Sequence, residues 1–149
     1  TEKKVWLIMK VNNTNPLSLI ELCLACIIKN EIHNFTTAVT ILAEIGPDVK
    51  AFQSDAHLAS WAGLCPGCYE SAGIKKSSHI TQGNRYIKQA LTMSGLIAAH
   101  SKDNAFSSFY SKISQRGSKM KAVIACAHKL LRIIYKILAT HQEYDKEKC

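Results

Sequence analysis

Between residues 119 and 140 the side chains Met120, Val123, Ile124, Ala127, Leu131, Ile134 and Leu138 recur at steps of mostly three and four. That spacing keeps one face of an α-helix apolar over its whole length. A face this long must be covered by other helices, and the chain supplies candidates. Ile87, Ala90, Leu91, Ser94, Ile97 and Ala98 define one buried face of a helix between 84 and 100. Phe106, Phe109, Tyr110 and Ile113 stripe the next, which Arg116-Gly117 ends. Upstream, Ala38, Val39, Ile41, Leu42 and Ile45 form a further stripe, with Asn34 or Thr36 as its cap and Gly46-Pro47 as its stop. Ser54 is placed to cap a short helix that ends at Gly63. The pattern predicts an all-α fold: a compact helical domain with one catalytic-type loop.

Length and composition bound that domain. A chain of 149 residues with 47% apolar content is long enough for one core and too short for two full domains. Its most apolar stretch, 17–28, is interrupted by Glu21 and reads as a buried helix, well short of the roughly 18 apolar residues that a membrane span needs. Glu2, Lys3 and Lys4 precede a short run ending in Asn12, Asn13 and Thr14, without the small-residue pattern of a cleaved leader. The expectation is a cytoplasmic protein with no membrane partner.

Charge is spread unevenly. Residues 1–70 hold five Lys/Arg against seven Asp/Glu, a net of −2, whereas residues 71–141 hold twelve Lys/Arg against Asp103 alone, a net of +11. A basic half of this kind suits a polyanion. Tyr86, Phe106, Phe109, Tyr110 and Tyr135 are interleaved with the cations, so this half reads as folded structure and not as a tail. Lys129, Arg132 and Lys136 recur at steps of three and four, so they share a helix face. That face either follows a phosphate backbone or is simply solvated.

Residues 61–91 carry the most pointed chemistry. Ser71 is followed by Ala72 and Gly73, which leave room for a backbone or a phosphodiester, and then by Lys75 and Lys76. Gly83 and Asn84 open a helix with Arg85 and Lys88 in its first turns, where an anion is favoured. A plain surface loop leading into a helix is the alternative. His79 reads as a surface or hydrogen-bonding residue. Cys65 and Cys68 have metal-ligand spacing, and Cys23 and Cys26 repeat it, so a four-cysteine zinc module is formally open. Cys23 and Cys26 fall within an apolar helical pattern, where a free cysteine behaves as a small hydrophobe. The expectation is no metal in this chain and no disulfide.

Several motifs in fixed order resemble those of a known family. Leu42 to Gly46 (LAEIG), Phe52, His57 to Leu64 (HLASWAGL), Pro66, Ser71 to Gly73, Lys75-Lys76 and Gly83 to Arg85 (GNR) are followed by a closing helix containing KAVIACAHKLL. Over residues 35–141 the chain resembles the C-terminal domain of the bridge-RNA-guided insertion-sequence transposases of the IS one-ten family, which is related to the Piv-type DNA invertases. The resemblance implies that Ser71 is the nucleophile in DNA strand cleavage and exchange. It further implies a guide RNA and a homo-oligomer in a complete relative, and a separate DEDD domain whose carboxylates hold Mg2+. Charge and spacing, for their part, make Lys75, Lys76, Arg85, Lys88, Lys129, Arg132 and Lys136 the expected DNA-binding residues.

Family members usually carry a glycine-containing helix-hairpin-helix turn before the Leu-Ala-Glu-Ile-Gly helix. Ile32, His33 and Asn34 stand there in this chain, a degenerate form of that turn. The acidic residues of 1–70 are scattered and do not form a DEDD site. The domain reading is therefore 1–30 as a partly helical segment without a family match, 31–141 as the transposase C-terminal domain, and 142–149 as a charged tail. Residues 1–16 hold a β-prone run, 5–11, and a polar linker. The chain is expected to be part of a transposase, either an excised domain or the remnant of a decayed element. A non-enzymatic helical DNA-binding module, in which Ser71 only contacts phosphate, is the alternative of another class.

Overall fold

The computed structural model describes residues 35–46, 49–67, 69–71, 73–77, 79–101 and 104–140. The expectations for 1–30, for the turn at 32–34 and for the tail at 142–149 lie outside these residues, as do Cys23, Cys26 and Cys68. Five α-helices account for most of what is described: α1 (Phe35–Ile45), α2 (Asp55–Trp61), α3 (Arg85–Ala99), α4 (Asn104–Arg116) and α5 (Lys119–Thr140). A single 3-10 turn, Val49–Ala51, lies between α1 and α2. The expected all-α architecture holds, with one addition: the loop between α2 and α3 contains a two-stranded antiparallel hairpin, β1 (Tyr69–Ser71) and β2 (Ile74–Ser77).

Helix α5 is the centre of the domain and touches α2, α3, α4 and the 3-10 turn. Its buried residues explain why so many neighbours fit. Val123, Ala127, Leu131, Ile134 and Leu138 form the face read from the sequence, and Ala122, Cys126, Leu130, Ile133 and Ile137 form a second face beside it. Two adjacent stripes bury a broad arc, so helices can dock from several directions. Met120 departs from the expected face, being 62% exposed. It lies in the first turn, before Ala122, where the buried part of the helix begins.

The closest approach of α3 to α5 is at Gly95, within a run of small buried residues. Ser94, Gly95, Ala98 and Ala99 are buried on α3, whereas Ile97, expected in the core, is 40% exposed. A Cβ placed on Gly95 would lie 2.8 Å from the Ala127 nitrogen and 3.0 Å from the Val123 carbonyl oxygen, so the two backbones meet almost directly. The buried Ser94 hydroxyl donates back to the Ala90 carbonyl at 3.0 Å, which removes the cost of burying it.

The helix ends largely follow the sequence signals. Gly46, at φ +87°, donates to the Leu42 carbonyl and stops α1. Thr36 lies inside α1 and is not its cap; Asn34, the other candidate, lies outside the described residues. Ser54 accepts from the His57 N–H at 3.1 Å and caps α2. Asn84 caps α3 by accepting from the N–H groups of Tyr86 and Ile87. Among the described residues no helix is long and apolar enough to cross a membrane.

Candidate nucleic-acid interface

The hairpin that carries Ser71 is a ladder rising from the helical domain. Thr81 donates its N–H to the Cys65 carbonyl at 3.1 Å, Pro66 bridges Ile80, and Gly67 donates to the His79 carbonyl at 2.8 Å. The strands continue the ladder with Tyr69 opposite Ser77, Glu70 opposite Lys75 and Ser71 opposite Ile74. Between Tyr69 and Glu70 the register shifts, which leaves Lys76 as an extra residue on β2. Such bulges twist a hairpin and re-aim its end.

Ser71 is the last residue of β1, at the top of this ladder, and Gly73 takes the φ of +76° that the tight return requires. The six residue steps from Cys65 to Ser71 span up to about 20 Å at the rise of a β-strand. A serine expected in an irregular loop is thus placed at the end of a short β-arm. The side chains of Ser71, Lys75 and Lys76 lie outside the described set; the backbone register puts Lys75 next to Ile74, the partner of Ser71.

Both feet of the arm meet at a pair of glycines. Gly63 follows α2 with φ +72°, and a Cβ there would come within 2.8 Å of the Gly83 nitrogen. A Cβ on Gly83 would fall 2.3 Å from the Gly63 nitrogen. Only glycine at both positions allows this approach. Immediately beyond, Asn84 donates its N–H to the Trp61 carbonyl at 3.1 Å and its side-chain Nδ2 to Glu44 Oε2 at 2.8 Å. Sequence reading identified Asn84 as the opening of α3 and missed its tie to Glu44. The signal was there in the residue type, since asparagine has a donor that capping does not use.

Arg85 and Lys88 line a shallow groove of about 450 Å³ with Gln82, Gly83, Gln89, Thr92 and Met93. No acidic side chain lines it. Arg85 is exposed, and Lys88 donates from Nζ to the Thr81 carbonyl at 3.1 Å, which also fastens the second foot of the arm. The structure therefore brings these two predicted cations to the base of the serine arm.

The α5 cations are differently engaged. Lys129 Nζ lies 5.1 Å from the Phe106 ring centroid and 5.2 Å from that of Phe109, within cation–π range of both. Arg132 Nε donates to Asp55 Oδ2 at 2.5 Å, joining α5 to α2. That hydrogen bond holds the Asp55 carboxyl below the ordinary carboxylate range, against a partial desolvation that opposes it. Lys136 is exposed and adds a weaker attraction to the same carboxylate. Burial pushes the neighbouring His128 imidazole down, and Arg132 adds to the effect. Two of the three residues in the expected basic stripe thus have partners within the domain.

Among the described residues no three His, Cys, Asp or Glu side chains converge to hold a metal ion. Cys65 is a half-buried free thiol, and Cys126 is buried in the core.

The Glu44 helix, the Gly63 turn, the serine arm and the Gly83-Asn84 helix start all lie within the segment that matches a known family. Residues 34–111 match the model of the transposase IS116/IS110/IS902 family. The chain is 37% identical over 109 residues to the pilin gene-inverting proteins of Moraxella bovis and of Moraxella lacunata, an alignment covering 71% of this chain and 34% of each relative. It is 30% identical over 111 residues to an uncharacterized 43.6 kDa protein of insertion element IS110 from Streptomyces coelicolor, covering 73% of this chain and 27% of that protein. The chain spans about a third of the length, or less, of these curated relatives. With more than half of its residues matched by the family model, the chain belongs to the transposase IS116/IS110/IS902 family.

Proposed function

We propose that this chain binds DNA and supplies Ser71 as the nucleophile for strand cleavage and exchange during transposition. The observation that carries the reading is the placement of Ser71 at the end of a β-arm whose base is flanked by the Arg85 and Lys88 groove. An arm can enter a DNA groove or reach a phosphodiester held against the helical body. In the step assigned to it, Ser71 Oγ forms a bond to phosphorus while the bond from phosphorus to one deoxyribose oxygen breaks. The hydroxyl proton passes to a base, and the departing oxygen takes up a proton. A neutral serine hydroxyl needs such a base or a metal to react.

Asp/Glu ligands of a separate DEDD domain, with Mg2+, are the source of that activation in this reading, and a guide RNA and a second copy of the protein complete the assembly. The net charge of +11 over residues 71–141 supports DNA as the partner. So does the name of the Moraxella relatives, pilin gene-inverting protein, because inversion is a rearrangement of DNA. The test is capture of labelled DNA by a complete protein containing this chain. A protease-sensitive adduct that survives denaturation, and is lost on Ser71→Ala, is the expected result. DNA binding with no adduct under any metal condition would instead favour a non-enzymatic binding module.

A further inference from the structure

Capping a helix requires one acceptor, and serine or aspartate provides it as well as asparagine does. Asn84 does more. Its Oδ1 accepts from Tyr86 and Ile87, its backbone N–H binds the Trp61 carbonyl at the end of α2, and its Nδ2 donates 2.8 Å to Glu44 on α1. One residue therefore ties the ends of α1 and α2 to the start of α3 at the point where the serine arm leaves and rejoins the domain. The Gly63 and Gly83 backbones touch beside it, so any shift of Asn84 moves both feet. From there the bonds between Thr81 and Cys65, and between Gly67 and His79, carry the position of the feet up to the strands.

Resting on the reading of Ser71 as the nucleophile, we infer that Glu44 and Asn84 are positioning residues for it, acting through the feet of the arm to fix where its tip is presented. An aspartate at 84 would keep the cap and set a carboxylate against Glu44, and a serine would keep the cap and lose the donor. Glutamine at 44 would keep an acceptor for Nδ2.

Amide exchange in the full chain separates this role from general stability. Asn84→Asp and Glu44→Ala are expected to speed exchange at Gly67 and Thr81 by about tenfold while the amides of α5 stay within about twofold of the parent, because sub-global opening can be confined to one segment. Glu44→Gln is expected to behave as the parent. Uniform acceleration across the chain, or none at Gly67 and Thr81, would overturn the inference. In a complete, adduct-forming protein the same two variants should slow adduct formation without weakening DNA binding, with Glu44→Gln retaining the rate. Loosened feet with an unchanged adduct rate would also overturn it. If Ser71→Ala still forms the adduct, the nucleophile reading fails and the positioning of Ser71 falls with it. The exchange result would still report whether Glu44 and Asn84 hold the arm, so the two failures are distinguishable.

Discussion

Gly95 on α3 faces Ala127 on α5 so closely that a methyl group on the glycine would stand 2.8 Å from the Ala127 nitrogen. The obstructing atoms are backbone, which cannot rotate aside as a side chain can. Introducing a side chain must push α3 away from the central helix. Gly95→Val is expected to destabilise the domain by about 1 to 3 kcal/mol, the usual cost of overpacking. Gly95→Ala is expected to cost less, because alanine recovers about 1 kcal/mol of helix propensity. Chemical denaturation followed by circular dichroism checks both, and an unchanged midpoint for Gly95→Val would contradict the close approach.

That contact also shows what the sequence could and could not convey. Periodicity located α3, α4 and α5 because each carries at least one apolar face of ordinary amphipathic spacing. It chose Ile97 for the core and passed over Gly95 and Ala99, since apolarity ranks isoleucine first while the tight α3 and α5 contact needs small residues. The second buried face of α5 was missed for a related reason: a helix surrounded by neighbours loses the contrast on which periodicity depends. At the candidate site, local residue types and motif order singled out Ser71, Arg85 and Lys88. The arm beneath Ser71 was not legible, because short strands with a bulge leave little alternation. Long-range ties such as Arg132 to Asp55 and Lys129 to Phe106 leave no local signature at all.

Acid should weaken the domain by two routes. The folded state holds His128 below its ordinary value, chiefly through burial. The unfolded chain therefore takes up the proton first, and stability present at neutral pH declines as the pH falls through about 6.5 toward the folded value. Asp55 is lowered chiefly by its hydrogen bond from Arg132. Its contribution is complete above the unfolded carboxylate value of about 4 and is lost as pH falls toward its lower folded value. His128→Gln should flatten the decline between pH 7 and 5, and Asp55→Asn should flatten the part below pH 4. Melts across pH measure both slopes.

The cysteines should separate by burial. Desolvation raises the Cys126 thiol to about 11, so little thiolate exists at neutral pH and the residue is shielded by the core. Iodoacetamide at pH 7.5 is expected to modify Cys65, which is half-buried, while Cys126 reacts only after unfolding. The chain is also expected to carry no zinc and no disulfide under reducing conditions. One zinc per chain by elemental analysis would overturn that expectation and revive the four-cysteine module.

DNA affinity should depend steeply on salt. With about four to six phosphate contacts, the log–log slope on duplex DNA should be roughly −4 to −5. Replacing Lys75, Lys76, Arg85 and Lys88 by alanine should weaken binding while the helices stay folded. Lys129 and Arg132 already engage Phe106, Phe109 and Asp55, so their alanine variants should lose less affinity than Arg85→Ala. Titrations at several salt concentrations test the ranking. Binding that ignores salt would remove the electrostatic basis of the reading.

The serine itself gives the sharpest outcome. An unactivated serine does not attack a phosphodiester at a useful rate, and in the proposed reading the activating Mg2+ is held by a separate DEDD domain. The isolated chain is therefore expected to bind DNA without cutting or capturing it. Joined to a DEDD domain and supplied with magnesium and the matching guide RNA, it should form a covalent adduct that resists denaturation and disappears on proteolysis. Ser71→Ala should abolish the adduct and leave DNA affinity within about 1 kcal/mol, the scale of one modest hydrogen bond. An adduct that persists in Ser71→Ala would place the nucleophile elsewhere. An adduct formed by the isolated chain would show instead that the activating group lies within these 149 residues, with no second domain required.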